Sequence, residues 1–329
     1  MSVLQSPIDS ALRAHRPLLA AAVTSGLVGI VALAGLLVDD RVLTGAPIWL
    51  KPFKFAVSVA VYAATLAWML TYLRRGRRWG RRLATVSAVM IVGELALITA
   101  QVFLGRMSHF NVQTSWDALV WNIMTAMIAI LWLANVVLAV LLGTQRLDDP
   151  ALASALRLGM VVALAGMAIA FFMTASTPGI EAMRSVEDGI AGAHSVGVPD
   201  GGPGLPIVGW STSGGDLRVA HFLGIHALQA IPLFAVALTA LAARTPWLRS
   251  EWVRVQLIRT AAGTYAGVVA VTTWQALRGQ PLTRPDAATL VTLVTLFEVA
   301  AGAAVMVLWM GRREVESRAA ALTENAAKA

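Results

Sequence analysis

Eight stretches of the chain are almost continuously apolar: 17–38, 53–73, 83–104, 118–142, 157–177, 218–242, 253–275 and 286–310. Each is about 20 residues or longer, enough for an α-helix to cross the roughly 30 Å hydrocarbon core of a bilayer. Lipid offers no hydrogen bonds, so a spanning segment must pair its own backbone, and each stretch reads as a helix. The pattern predicts an all-α polytopic integral membrane protein. Its parts are a cytoplasmic segment 1–16, an eight-helix transmembrane domain 17–310 and a cytoplasmic tail 311–329. The polar start ends in Arg13, His15 and Arg16, and no small-residue cleavage site follows the first span. That arrangement predicts a retained signal-anchor helix.

Composition agrees with the pattern. Of 329 residues, 57 % are apolar and only 13 % charged, against about 25 % charged in an average soluble protein. So little charge cannot cover a water-facing surface, which excludes a soluble globular fold. The absence of cysteine excludes disulfide frameworks, thiolate metal sites and cysteine nucleophiles. The net charge of +8 would suggest nucleic acid on a soluble chain, but here the basic residues follow the membrane topology. If the N-terminus is inside, 18 of the 26 fall on inner segments, six of them in LRRGRRWGRR. Positive charge gathers on the cytoplasmic side, so both termini are expected inside, in a bacterial inner membrane.

The inner connections are short, whereas the outer side carries a long one, 178–217. Its Gly and Pro content rules out a long helix, and a connection of this length is expected to be functional or disordered. Ile207, Val208 and Trp210 suggest that it lies back on the membrane as a lid. GTYAG (Gly263, Gly267) fits a small-residue packing face.

The chemistry-bearing residues concentrate on the outer side. His109, His194, His221 and His226 all fall there, and histidine can ligate metal or haem or carry a proton. On span 6, His221 and His226 flank a polar face with Arg218 at its mouth and Gln229 deepest. Their i, i+5 spacing is poor for chelation from one helix, so partners are needed from elsewhere. Span 3 supplies Glu94, Gln101 and Ser108 on one stripe, with His109 beside it if that helix runs a turn past the membrane. Glu298 on span 8 is a second carboxyl near mid-depth, where a charge costs roughly 2.5–3.5 kcal/mol and so implies a function. Lys51, Lys54, Arg106 and Arg218 form a candidate cationic rim for an anion. Pro232 is expected to kink span 6 beneath the site. Thr114–Asp117 and Ser213–Asp216 fit the helix-start pattern, so Asp117 and Asp216 are expected as caps. His194 is expected to be solvated in its loop.

WLKPFKF at span 2, paired with GGDLRVAHFLGIHALQ at span 6, resembles a group of uncharacterised bacterial polytopic membrane proteins, and the resemblance implies no activity. Haem A synthases are similar in having eight helices and four outer histidines, but their Glu-x-x-His-Arg motif is missing here. Ceramidase-type zinc hydrolases use a His-x-x-x-His pair, which this chain also lacks. The leading expectation is an outer site holding haem b or a transition metal for redox chemistry, with quinone or a small anionic ligand as partner. His109, His221 and His226 would be ligands and Lys51, Lys54, Arg106 and Arg218 would neutralise anionic groups. The alternative is a proton-coupled transporter or channel using Glu94, Gln101, Gln229, Glu298 and His226. A third expectation is a metal-dependent membrane hydrolase. A partner subunit or oligomer is compatible with each; nucleic acid is not an expected partner.

Overall fold

The computed structural model describes residues 15–174 and 189–328. Most of the expected N-terminal segment and the beginning of the long outer connection, including Arg184, lie outside the described residues. Eight helices longer than 18 residues appear among the rest. They are α1 (Arg16–Val38), α2 (Leu50–Met69), α3 (Arg77–Phe103), α4 (Ser115–Gly143), α5 (Pro150–Phe172), α6 (Leu217–Ala242), α7 (Glu251–Leu277) and α8 (Ala287–Lys328). Seven are long and apolar enough to cross a membrane, which fits a multi-pass membrane protein. The exception is α7, whose first third carries Glu251, Arg254 and Arg259 and whose remainder is rich in threonine. Thr264, Thr272 and Thr273 return their hydroxyls to carbonyls of the preceding turn, and the Tyr265 hydroxyl donates to Leu223 O of α6 at 2.6 Å.

Packing divides the helices into two groups. α1 lies on α2 and α3, and α3 on α4; α5 packs on α6 and α7, and α7 on α8. The α4–α5 and α2–α6 contacts join them. Between α5 and α6, Gly166 and Gly224 meet backbone to backbone, with no room for a Cβ on either. α6 carries Pro232, the residue expected to kink it, within an uninterrupted helical run. Gly159 of α5 gives the room: a Cβ on it would lie 3.3 Å from Pro232 Cδ. Of the GTYAG glycines, only Gly267 lies at a helix contact, against Leu296 of α8. α8 continues unbroken through the segment expected as the tail, to Lys328.

Two short hairpins sit at helix ends. β1 (Val42–Leu43) pairs with β2 (Ala46–Pro47), and β3 (Ser195–Val196) with β4 (Gly215–Asp216). The second ties the outer segment to the start of α6. Further pins hold that segment over the bundle: Leu217 N donates to His194 O (3.0 Å), and the Lys54 ammonium to Val208 O (2.9 Å). A bridge between Asn111 and Ile190 joins it to the α3–α4 connection.

Candidate functional site: a polar chamber under the outer segment

The site is assembled by the α3–α4 connection. α3 ends at Phe103, sooner than the extra turn that the stripe argument requires. Gly105 (φ +66°) then reverses the chain in the left-handed region that glycine adopts freely. The Gln101 side chain donates to Met107 O at 3.1 Å and holds the reversed segment against its own helix. His109 is thereby folded back onto α3, and its Nε2 lies 3.5 Å from Glu94 Oε1. The sequence expected His109 beside Glu94 through a longer helix; a loop brings it there.

Glu94 is 1 % exposed, and neither carboxyl oxygen has a hydrogen-bond partner. Phe55 and Trp121 wall the imidazole of His109, with ring centres 5.8 and 5.9 Å away. Lys51 stands one turn before Phe55, its ammonium 6.0 Å from that ring centre. Its charge acts on both Glu94 and His109, yet among the described residues it forms no hydrogen bond or ion pair. Burial pushes the His109 imidazole well below its ordinary value, and the nearby Lys51, His194 and His221 push the same way.

The outer segment contributes the far wall. His194 donates through Nδ1 to Asp200 Oδ2 at 2.7 Å, and the backbone N–H groups of His194 and Ser195 donate to the same carboxylate. Burial would raise the Asp200 carboxyl, but His194 and these hydrogen bonds outweigh it and hold the group well below the usual carboxylate range. The His194 ring lies 4.9 Å from that of Phe110, which adjoins His109. This residue was expected to be solvated, and Asp200 was not singled out. The available signal was an aspartate six residues beyond a histidine, in a glycine-rich loop able to double back. His221 completes the wall, donating Nδ1–H to Gly166 O at 2.8 Å. That carbonyl is within reach because the glycine pair draws α5 and α6 together.

Other expected site residues are held in structural roles. Arg106 reaches Asp117 at 3.2 Å. Asp117 forms the expected cap with Thr114, whose hydroxyl accepts from Asp117 N. Gln101 is shared between Met107 O and Asp117. Arg218 grips Asp216 through two nitrogens and donates to Gly209 O at 2.7 Å. Asp216 caps α6 as expected, but it stands at the N-cap position itself, so Ser213 is not the capping residue. With Lys54 committed to Val208 O, Lys51 is the member of the four-residue cationic rim that forms no hydrogen bond or ion pair among the described residues. His226 Nδ1 lies 3.3 Å from Gln229 Oε1, and Gln229 donates to Thr65 of α2. Glu298 is exposed on α8, a helix that packs on α7, so it does not join Glu94. Among the described residues, no group of three or more His, Asp or Glu is placed to hold a metal ion.

The site therefore combines a buried carboxyl, an imidazole and an ammonium beside aromatic rings, with the outer segment packed against them. Compared with known protein families, curated proteins and solved structures, the chain matches none.

Proposed function

We propose that the protein is an eight-span inner-membrane carrier, with both termini cytoplasmic, that couples a proton to a small anionic ligand in the outer chamber. α7 is the eighth span in this reading, enclosed by α5, α6 and α8, where its threonines can pair with the helix backbone. The orientation rests on the excess of arginine in the inner connections.

One observation carries the chemical reading: Glu94 is buried without a hydrogen bond, 3.5 Å from His109, while the Lys51 ammonium beside them forms no hydrogen bond or ion pair among the described residues. Buried polar groups are normally satisfied, and ionisable groups within membrane spans mark ion or proton pathways. Glu94 and His109 can share one proton, on either the carboxyl or the imidazole. Lys51 supplies the positive charge that an anion such as a carboxylate would seek. The planar walls of Phe55 and Trp121 suit an unsaturated or aromatic body, and the outer segment, pinned through Lys54 and Arg218, would control access from outside.

The test uses purified protein in liposomes loaded with a pH-sensitive dye. Benzoate, phosphate or succinate is added outside, and internal pH is followed. One of these anions is expected to drive internal acidification in the wild type. Glu94→Gln should abolish the proton signal while anion binding persists, and Lys51→Met should weaken anion binding at least tenfold. Acidification unchanged in Glu94→Gln would overturn the reading. A Soret band in the purified protein, lost in His221→Ala, would replace it with a histidine-held haem b.

A further inference from the structure

Glu298 has no place in the outer chamber, and its surroundings point outward. α8 lies against α7 and the short 3-10 turn Pro246–Arg249. The side turned to the protein is defined by Val307, which is buried, and by Leu296, which packs over Gly267. At 100° per residue, Glu298 lies about 180° from Val307. The positions around it, Val291, Val294, Gly302, Val305 and Trp309, are all exposed. It lies about 17 Å along the helix from Ala287 at 1.5 Å per residue, close to halfway to Arg312. Among the described residues it has no hydrogen bond or ion pair. Lipid tails have neither donors nor acceptors to offer it.

We propose that this face of α8 is the contact between two copies of the chain, with their Glu298 carboxyls paired across a two-fold axis along the membrane normal. Such an axis makes each residue near it meet its own copy. A carboxylic acid suits that position because it carries a donor and an acceptor, and two of them close a pair of hydrogen bonds. A lysine or arginine would meet only another donor. Shape favours the same contact. Gly302 lies one turn further along, with no atom within 4 Å of where its Cβ would stand. Two helix backbones can approach closely at such a position, as small residues allow in membrane helix pairs.

The chain lacks cysteine, so single introduced cysteines report the contact directly. In oxidised native membranes, Gly302→Cys and Val305→Cys are expected to give disulfide-linked dimers. Ala303→Cys is also exposed but lies about 140° around the helix from Glu298, and it should not. In the Val305→Cys background, Glu298→Gln should keep the cross-link, because an amide also pairs with itself. Glu298→Ala should reduce it at least fivefold, and Gly302→Leu should block it. These side chains face away from the fold, so each variant should keep the melting temperature of its parent and any loss reports association. Equal cross-linking at 303 and 305, insensitivity to Glu298→Ala, or a native mass spectrum showing only monomers or a complex with a different protein would each overturn the proposal.

Discussion

The residues of the chamber show how burial and charge act on one another. His109 is confined between Phe55 and Trp121 beside Glu94 and Lys51. Burial holds its imidazole well below the ordinary 6.5. The imidazole of the unfolded chain therefore takes up a proton near that pH that the folded imidazole takes up only at lower pH. The stability linked to this residue is complete above pH 6.5 and declines as the pH falls below it. Asp200 has the same sign at lower pH, since its carboxyl is held below the usual range and loses its advantage only in strong acid. Between about pH 7.5 and about pH 5.5, His109→Asn is thus expected to lose less melting temperature, or gain more, than the wild type. An identical pH response of the two proteins would contradict the burial argument. Glu94 and His109 were legible in the sequence as a carboxyl and an imidazole in an apolar setting. Asp200 was not, because only the doubled-back loop gives it three donors.

Among the elements, the α5–α6 pair does most to position the chamber. Gly166 and Gly224 bring the two backbones together, and the same approach makes Gly166 O the acceptor for His221. Gly224→Val would force the helices apart. Overpacking of this kind costs about 1–3 kcal/mol, so a clear drop in melting temperature is expected, together with loss of the His221 contact. A fully stable Gly224→Val protein would show that the helices can separate at little cost. The sequence located nearly every helix, because long apolar runs permit little else in lipid. It could not give the route by which His109 returns to α3, where Gly105 and the Gln101 side chain close the turn, or the room for Pro232, which Gly159 provides across the interface. Both outcomes depend on residues outside the pattern being read.

The whole molecule has a charge asymmetry that reads as an orientation. The arginines of 74–82 lie at one end of the bundle, between α2 and α3, whereas the segment carrying His194 and Asp200 belongs to the opposite end in the eight-span reading. Cysteines introduced into this cysteine-free chain test that reading. Gly76→Cys should be labelled by an impermeant maleimide only after the membrane is opened, and Gly202→Cys in intact spheroplasts. Labelling of both in intact spheroplasts would reject the proposed topology.

Helical class, the positions of the apolar segments and the concentration of histidine and unusual basic residues at one end all follow from the one-dimensional pattern. Hydrophobic length and charge act locally along the chain, so they can be read without knowing what touches what. Partnership cannot be read that way. Lys51, Lys54, Arg106 and Arg218 look equivalent in the sequence, yet three are held by a carbonyl or a carboxylate, whereas Lys51 forms no hydrogen bond or ion pair among the described residues. Glu94 and Glu298 look like a matched pair, yet one faces the chamber and the other faces away from the bundle. Those distinctions arise from the rotation of each helix about its axis and from loops that double back, and packing against the other helices sets both.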